Sequence, residues 1–122
     1  MPLLFALLLS ISRPDLIQIP RAEAEVLTTD DLRTIAAADA ALYKINSDKF
    51  LKVIDCESQF DPNTVSATGD YGVAQINLKY HSEITKAQAL DPIFSLRWAA
   101  GQWSANRQKL WSCWNALYGK HS

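Results

Sequence analysis

The 122-residue sequence lacks the features that several large classes of protein require. Its 12 Lys and Arg residues are matched by 13 Asp and Glu residues, so no basic excess is present to bind nucleic acid. The long apolar run, Pro2 to Ile11, is about half of the ~20 residues that a transmembrane helix needs. No repeat or low-complexity tract is visible. The remaining composition, 48% hydrophobic and 20% charged, is typical of one small globular domain.

The apolar run has the length of a secretory signal core. Ala22-Glu23-Ala24 follows it and provides a small-x-small cleavage site. We therefore predict a signal peptide over residues 1–24, a mature domain over residues 25–122, and export to the periplasm, cell wall or medium. A start of translation elsewhere is the alternative.

Cysteine and histidine are scarce. Export would favour a disulfide between Cys56 and Cys113, which could contribute roughly 4 kcal/mol; two buried free thiols are the alternative. Zinc requires about four ligands, and His81 and His121 are the other candidates, without metal-like spacing. We predict no metal and no cofactor.

Apolar spacing and capping residues predict a mostly helical chain. Thr28-Thr29-Asp30-Asp31 and Asp91-Pro92 are start signals for the first and fourth helices. Helices are expected at about residues 32–45, 48–58, 82–88, 92–103 and 108–118. Asp61-Pro62 is expected to end the second helix, because a residue before proline is pushed out of the helical region. Residues 61–77 are rich in turn-forming types and predict a loop with a short hairpin or turn.

The second helix carries an acid on its apolar face. Phe50, Ile54 and Glu57 are spaced i, i+4, i+7, so Glu57 continues the apolar stripe, whereas Asp55 points elsewhere. Burial raises the pKa of a carboxyl group, which suits a general acid. The alternative is that Glu57 is half exposed at the helix end and caps a neighbouring loop.

Three motifs follow in order: Glu57-Ser58, Phe60-Asp61-Pro62, and Gly72-Val73-Ala74-Gln75-Ile76. With Thr64-Val65-Ser66 between them, they resemble the signature of lytic transglycosylases of the soluble and goose-lysozyme kind. The string from Asp70 to Asn77 is also similar to that of chicken-type lysozymes. The resemblance spans about residues 45–118. It implies a lysozyme-like fold of the α+β class, predominantly helical.

The resemblance implies cleavage of the β-1,4 bond between N-acetylmuramic acid and N-acetylglucosamine in peptidoglycan glycan strands. Glu57 matches the catalytic acid, which then acts as a base and gives a 1,6-anhydro product. Glycan strands would be the partner, and we expect a monomer.

Further residues are assigned to substrate by the resemblance. Ser58 would orient Glu57, Tyr118 would hydrogen-bond it, and Gln75 and Asn77 would bind sugar groups together with Tyr71. Apart from the resemblance, Trp103 is the candidate for stacking on a sugar, because it lies at a helix end and aromatic faces cover sugar rings well. Local backbone contacts for Gln75 and Asn77, and an aromatic core of Trp111, Trp114 and Tyr118, are the alternatives.

Asp70 matches the second carboxylate of chicken-type lysozymes. Opposite Glu57 it would permit hydrolysis by a muramidase mechanism. Otherwise it makes a tight turn with Gly69. A non-catalytic wall-binding or structural module with the same fold is the third possibility.

Overall fold

The first helix begins at a cap that its sequence specifies. Our computed structural model describes residues 27–119, so the predicted signal peptide lies outside the described residues. Helix α1 (Thr29–Tyr43) starts with a reciprocal capping box between Thr28 and Asp31. Helix α2 (Ser47–Ser58) starts at Asn46, whose side chain accepts a hydrogen bond from the Lys49 N–H. Both helices match the predicted ones closely.

Helix α2 ends at Ser58, as expected, but the residues that end it differ from those predicted. Gln59 and Phe60 both adopt left-handed backbone conformations, with φ of 55° and 60°. This turn places Phe60 in the core, fully buried, and the Phe60 N–H donates to the Ser58 hydroxyl. The prediction that Asp61-Pro62 ends the helix was therefore wrong, since the chain has already left the helical conformation two residues earlier.

The predicted hairpin is present. Strands β1 (Asp70–Tyr71) and β2 (Ile76–Asn77) are antiparallel, with Asp70 opposite Asn77. Between them Gly72 has a φ of +83°, and a Cβ there would lie 2.0 Å from the carbonyl oxygen of Ala89. The hairpin is thus held tightly against the helix that follows it.

The bounds of the next two helices agree with the predicted bounds to different degrees. Helix α3 (Lys86–Leu90) lies later than the predicted 82–88, because its cap is Thr85, which forms a capping box with Gln88. Helix α4 (Pro92–Ser104) starts with Asp91 as cap and Pro92 in the first turn, as predicted.

The predicted last helix, 108–118, is interrupted. A 3₁₀ helix covers Gln108–Leu110, Trp111 is extended, and helix α5 covers Ser112–Tyr118. Trp111 is buried, and its indole N–H donates to the carbonyl oxygen of Ala74 at 2.8 Å. This anchor on the hairpin holds Trp111 out of the helix and creates a new helix start at Ser112.

The core lies between α1, α2, α4 and the hairpin. An ion pair between the buried Asp39 and the exposed Arg97 joins α1 to α4, with Arg97 Nε 2.8 Å from Asp39 Oδ1. Among residues 27–119 the helices and the two-stranded sheet confirm the α+β, predominantly helical class, and no helix there is both long and apolar enough to cross a membrane. The core centres on Phe50, Val53, Ile54, Phe60, Leu96 and Trp103.

We predict that Gly72→Ala destabilises the protein more than Gly69→Ala. Both glycines have similar φ values, +83° and +84°, so each alanine incurs the left-handed cost of about 1–2 kcal/mol. Only Gly72 approaches Ala89; a Cβ at Gly69 would have no atom within 4 Å. We expect a total loss of about 2–5 kcal/mol for Gly72→Ala, measured by urea unfolding; equal losses would contradict this packing.

Candidate active site

Glu57 lies in the last turn of α2, and its carboxylate reaches the start of α5. Oε2 accepts a hydrogen bond from the Cys113 N–H at 3.0 Å and one from the Ser112 hydroxyl at 3.4 Å. Among residues 27–119 no hydrogen bond reaches Oε1. One oxygen is therefore fixed by the protein, and the other is available to hold a proton.

The Glu57 carboxylate caps α5. The residue that precedes this helix, Trp111, provides no side-chain cap, and the first N–H groups of a helix have no partner within it. Cys56, the residue before Glu57, forms a disulfide with Cys113, with 6.0 Å between their Cα atoms. The predicted disulfide is confirmed, and it joins the two segments that meet at the acid.

Opposing effects set the pKa of Glu57. Burial is the largest and raises the pKa, the hydrogen bonds from Cys113 and Ser112 lower it, and the charge of Asp70 raises it. The net result is a pKa above the usual 4.5. The protonated form is thus favoured relative to an exposed glutamate.

Asp70 lies on β1 and accepts three side-chain hydrogen bonds. The Ser66 and Thr68 hydroxyls donate to Oδ2 at 2.7 and 2.8 Å, and Asn77 Nδ2 donates to Oδ1 at 2.9 Å. Partial burial acts to raise the pKa of Asp70, but these bonds outweigh it and hold the pKa below its usual 3.8. Asp70 is therefore ionised near neutral pH.

Glu57 and Asp70 line the same cavity, of about 190 Å³. Their environments shift the two pKa values in opposite directions. Protonation is therefore favoured at Glu57 and ionisation at Asp70. The other lining residues are Thr68, Gln75, Leu110, Trp111 and Ser112. The cavity can thus present a proton donor and a negative charge to one ligand.

Three residues predicted to act at the substrate have hydrogen-bond partners within the protein. Ser58 is buried, and its hydroxyl donates to the Val73 carbonyl oxygen at 2.6 Å, so it holds the hairpin and does not orient Glu57. The Asn77 amide donates to Asp70 and to the Thr68 carbonyl. Gln75 lines the cavity, but its Nε2 donates to the carbonyl oxygens of Thr64 and Gly72.

The predicted aromatic contacts also lie elsewhere. Trp103 is 2% exposed and packs edge-to-face on Phe50, so it belongs to the core and cannot stack on a sugar from this position. Tyr118 contacts Trp114 and the Lys49 ammonium, and the bonds it was expected to give Glu57 come from Ser112 and Cys113. Tyr71 is partly buried beneath Lys86.

Sequence reasoning missed several residues around the two acids. Ser66 and Thr68 fix Asp70, and their positions four and two residues before it in a turn-rich segment are the signal that could have indicated this. Ser112 and the Cys113 N–H depend on the interruption at Trp111, which the apolar spacing does not reveal. Within the described part of the chain, no group of three or more His, Cys, Asp or Glu residues is placed to hold a metal ion.

The family described as Transglycosylase SLT domain matches residues 34–119, well over half of the chain. The searches of curated proteins and of solved structures returned no significant match.

We predict that Glu57→Gln stabilises the protein at pH 7 more than at pH 4. A raised pKa means that ionisation of Glu57 opposes folding, and this penalty grows as the pH rises from the unfolded value of about 4.5 through the folded pKa. Glutamine retains an acceptor for the Cys113 N–H but carries no charge. Urea unfolding at both pH values measures the difference.

Asp70→Asn should show the opposite sign. The lowered pKa of Asp70 contributes stability that is present above about pH 3.8 and lost as the pH falls through the folded pKa. Asparagine should therefore destabilise more at pH 7 than at pH 3. If both variants changed the free energy of unfolding in the same direction between low pH and pH 7, the opposite pKa shifts of Glu57 and Asp70 would be contradicted.

Proposed function

The chain belongs to the Transglycosylase SLT domain family, and from this membership we propose that it is a peptidoglycan lytic transglycosylase. Its substrate would be the β-1,4 bond between N-acetylmuramic acid and N-acetylglucosamine in glycan strands. The observation that carries the proposal is the Glu57 carboxyl group, partly buried, with one oxygen bound by Cys113 and a raised pKa, in a cavity with Asp70.

Glu57 would act first as an acid. Because Oε2 is engaged by α5, Oε1 would carry the proton and donate it to the glycosidic oxygen. The departing sugar leaves positive charge on the muramic ring, as in other glycosidases. The ionised carboxylate of Asp70 would stabilise that charge from the same cavity.

Glu57 would then act as a base. Now ionised, it would remove the proton from the muramic C6 hydroxyl, whose oxygen bonds to C1. The proton returns to Glu57, no water is consumed, and the product ends in 1,6-anhydromuramic acid. The Cys113 N–H and the Ser112 hydroxyl stabilise the ionised form between the two steps.

A hydrolytic muramidase is the second candidate, and Asp70 is the observation that favours it. Three hydrogen bonds hold this carboxylate in place in the Glu57 cavity. With a water molecule as the acceptor, the same pair of acids would hydrolyse the bond. The two candidates share Glu57 and differ in what attacks C1.

We place this activity outside the reducing interior of the cell. The Cys56–Cys113 disulfide fits an oxidising compartment, and the substrate belongs to the cell wall. The signal peptide predicted over residues 1–24 would direct the chain there.

Glu57→Gln is expected to lower the clearing of a peptidoglycan suspension at least 100-fold, since it removes the acid and base while conserving shape. Asp55→Asn is the matched control, because Asp55 is on the same helix, pairs with Arg33 and does not line the cavity. It should clear at the parent rate. Equal clearing by Glu57→Gln and the parent would reject Glu57 as the acid; no clearing by any of the three would favour a non-catalytic module.

Product mass distinguishes the two candidate reactions. A transglycosylase releases muropeptides one water lighter than those from a hydrolase, so mass spectrometry of the soluble products identifies the reaction directly. We expect anhydro products from the parent. Hydrated products that disappear in Asp70→Asn would establish the muramidase instead.

A further inference from the structure

The Cys56–Cys113 disulfide lies directly beside the Glu57 carboxyl group. Cys56 precedes Glu57 in the chain, and the N–H of Cys113 donates to Glu57 Oε2 at 3.0 Å. The disulfide and this hydrogen bond therefore close one small ring that includes the end of α2 and the start of α5. Within this ring the covalent bridge limits how far the donor can move from the acid.

Helix α5 is only partly packed against the rest of the protein. It has seven residues, none of them fully buried, and the side chain before it provides no cap. A helix of this length is not stable by itself in water. The rings of Trp114 and Tyr118 pack against the core and are partly buried. The first turn of α5 therefore depends on the disulfide and on the Glu57 carboxylate for its position.

The residue before α5 is held by contacts that do not involve the disulfide. Trp111 is buried, and its indole N–H donates to the carbonyl oxygen of Ala74 at 2.8 Å. Its ring also lies 6.4 Å from that of Trp103 in the core. If the disulfide opens, these contacts hold the chain as far as Trp111, and the release begins at Ser112. The change is therefore expected in α5 and not in the fold as a whole.

Asp70, which lines the same cavity, is held independently of the disulfide. Its side-chain hydrogen bonds come from Ser66, Thr68 and Asn77. None of these donors belongs to α5. Opening of the disulfide should therefore change the surroundings of the acid and leave those of the anion as they are.

A reductant can reach the disulfide without unfolding of the protein, because Cys56 is exposed and Cys113 is half-buried. One thiolate of a dithiol reductant would attack the Cys56 sulfur, form a mixed disulfide and release Cys113 as a thiolate. The second thiol would then attack the mixed disulfide and release Cys56. Two electrons and two protons pass from the dithiol to the cysteines, and the dithiol becomes a disulfide.

We infer that this disulfide is a redox switch for the Glu57 site, with Cys56 and Cys113 as positioning residues that act through Glu57. With the bridge closed, Cys113 donates to Glu57 and the acid is held in place. With the bridge open, α5 moves and the donor is withdrawn. The loss of activity on reduction rests on the proposed function, whereas the withdrawal of the donor does not. The chain would be inactive while its cysteines are reduced and active once they are oxidised.

Reduction of the folded parent protein tests the switch. In a dithiol reductant we expect the clearing of a peptidoglycan suspension to fall about tenfold or more, because a hydrogen bond that positions the acid is lost. Clearing should recover when an oxidised dithiol restores the bridge. Mass spectrometry after alkylation of free thiols measures how much of the protein is reduced. Unchanged clearing by the fully reduced protein would overturn the inference.

NMR of the isotope-labelled protein distinguishes a local change from unfolding. In the oxidised parent the Cys113 amide signal should shift as Glu57 ionises, a response that Glu57→Gln lacks, and reduction should abolish it. The Asn77 side-chain amide should follow the ionisation of Asp70 in both forms, and the Trp111 indole signal should keep its position. A Cys113 response that survives reduction would overturn the inference. So would a Trp111 signal that moves to the position of an unfolded chain, because the disulfide would then be a structural link only.

Removal of both thiols gives the matched control for the reductant. Cys56→Ser combined with Cys113→Ser should clear as slowly as the reduced parent, and the reductant should leave its rate unchanged, since it has no bridge to open. A further loss of clearing by this variant in the reductant would mean that the reductant acts elsewhere and would reject the disulfide as the switch. Clearing at the rate of the oxidised parent would reject it as well.

The two measurements separate this inference from the proposed function. If the oxidised parent does not clear the wall, the proposed activity is rejected, and the Cys113 amide still decides whether the disulfide holds the donor on Glu57. If the oxidised and the reduced parent clear equally, the redox switch alone is rejected.

Discussion

The hydrogen bond from the Cys113 N–H to the Glu57 carboxylate is the interaction on which the site depends. It joins the end of α2 to the beginning of α5, across 56 residues of sequence. The same bond satisfies a helix start that has no side-chain cap of its own and fixes one oxygen of the acid. Burial opposes ionisation of Glu57 while this bond favours it, and burial is the larger effect, so the pKa lies above the usual 4.5. A raised pKa favours the protonated form, which is the form that a general acid needs.

Trp111 makes this arrangement possible. Its indole is anchored on the carbonyl oxygen of Ala74 in the hairpin, and its backbone is extended, so the chain begins a new helix at Ser112. The hairpin carries Asp70 on its first strand. The buried Trp111 side chain therefore fixes the position of α5, which binds Glu57, against the hairpin, which carries Asp70. Gly72 completes the placement, because its lack of a side chain lets the hairpin contact the end of α3.

Local patterns predicted the parts of the fold that depend on neighbouring residues. The caps at Thr28 and Asp91, the short hairpin and the apolar stripe that ends at Glu57 all follow from spacing over a few positions. The partners of polar side chains did not follow, because they are set by tertiary packing. Asn77 was expected to bind a sugar, yet it donates to Asp70 across the hairpin, and Trp103 was expected at the surface, yet it packs on Phe50. The predicted helix ran through Trp111 without a break. The hydrogen bond that interrupts it is made to Ala74, which is distant in sequence, so the local spacing of apolar residues does not indicate it.

The disulfide has a consequence beyond stability. Cys56 is the residue before Glu57, and Cys113 provides the N–H that the Glu57 carboxylate accepts, so the covalent link and the shortest hydrogen bond to the acid share the same residues. A reductant that opened the link would remove the covalent restraint from the residue before Glu57 and from the residue that donates to its carboxylate. The oxidation state of the two sulfurs and the surroundings of this carboxyl group therefore meet in a single pair of residues.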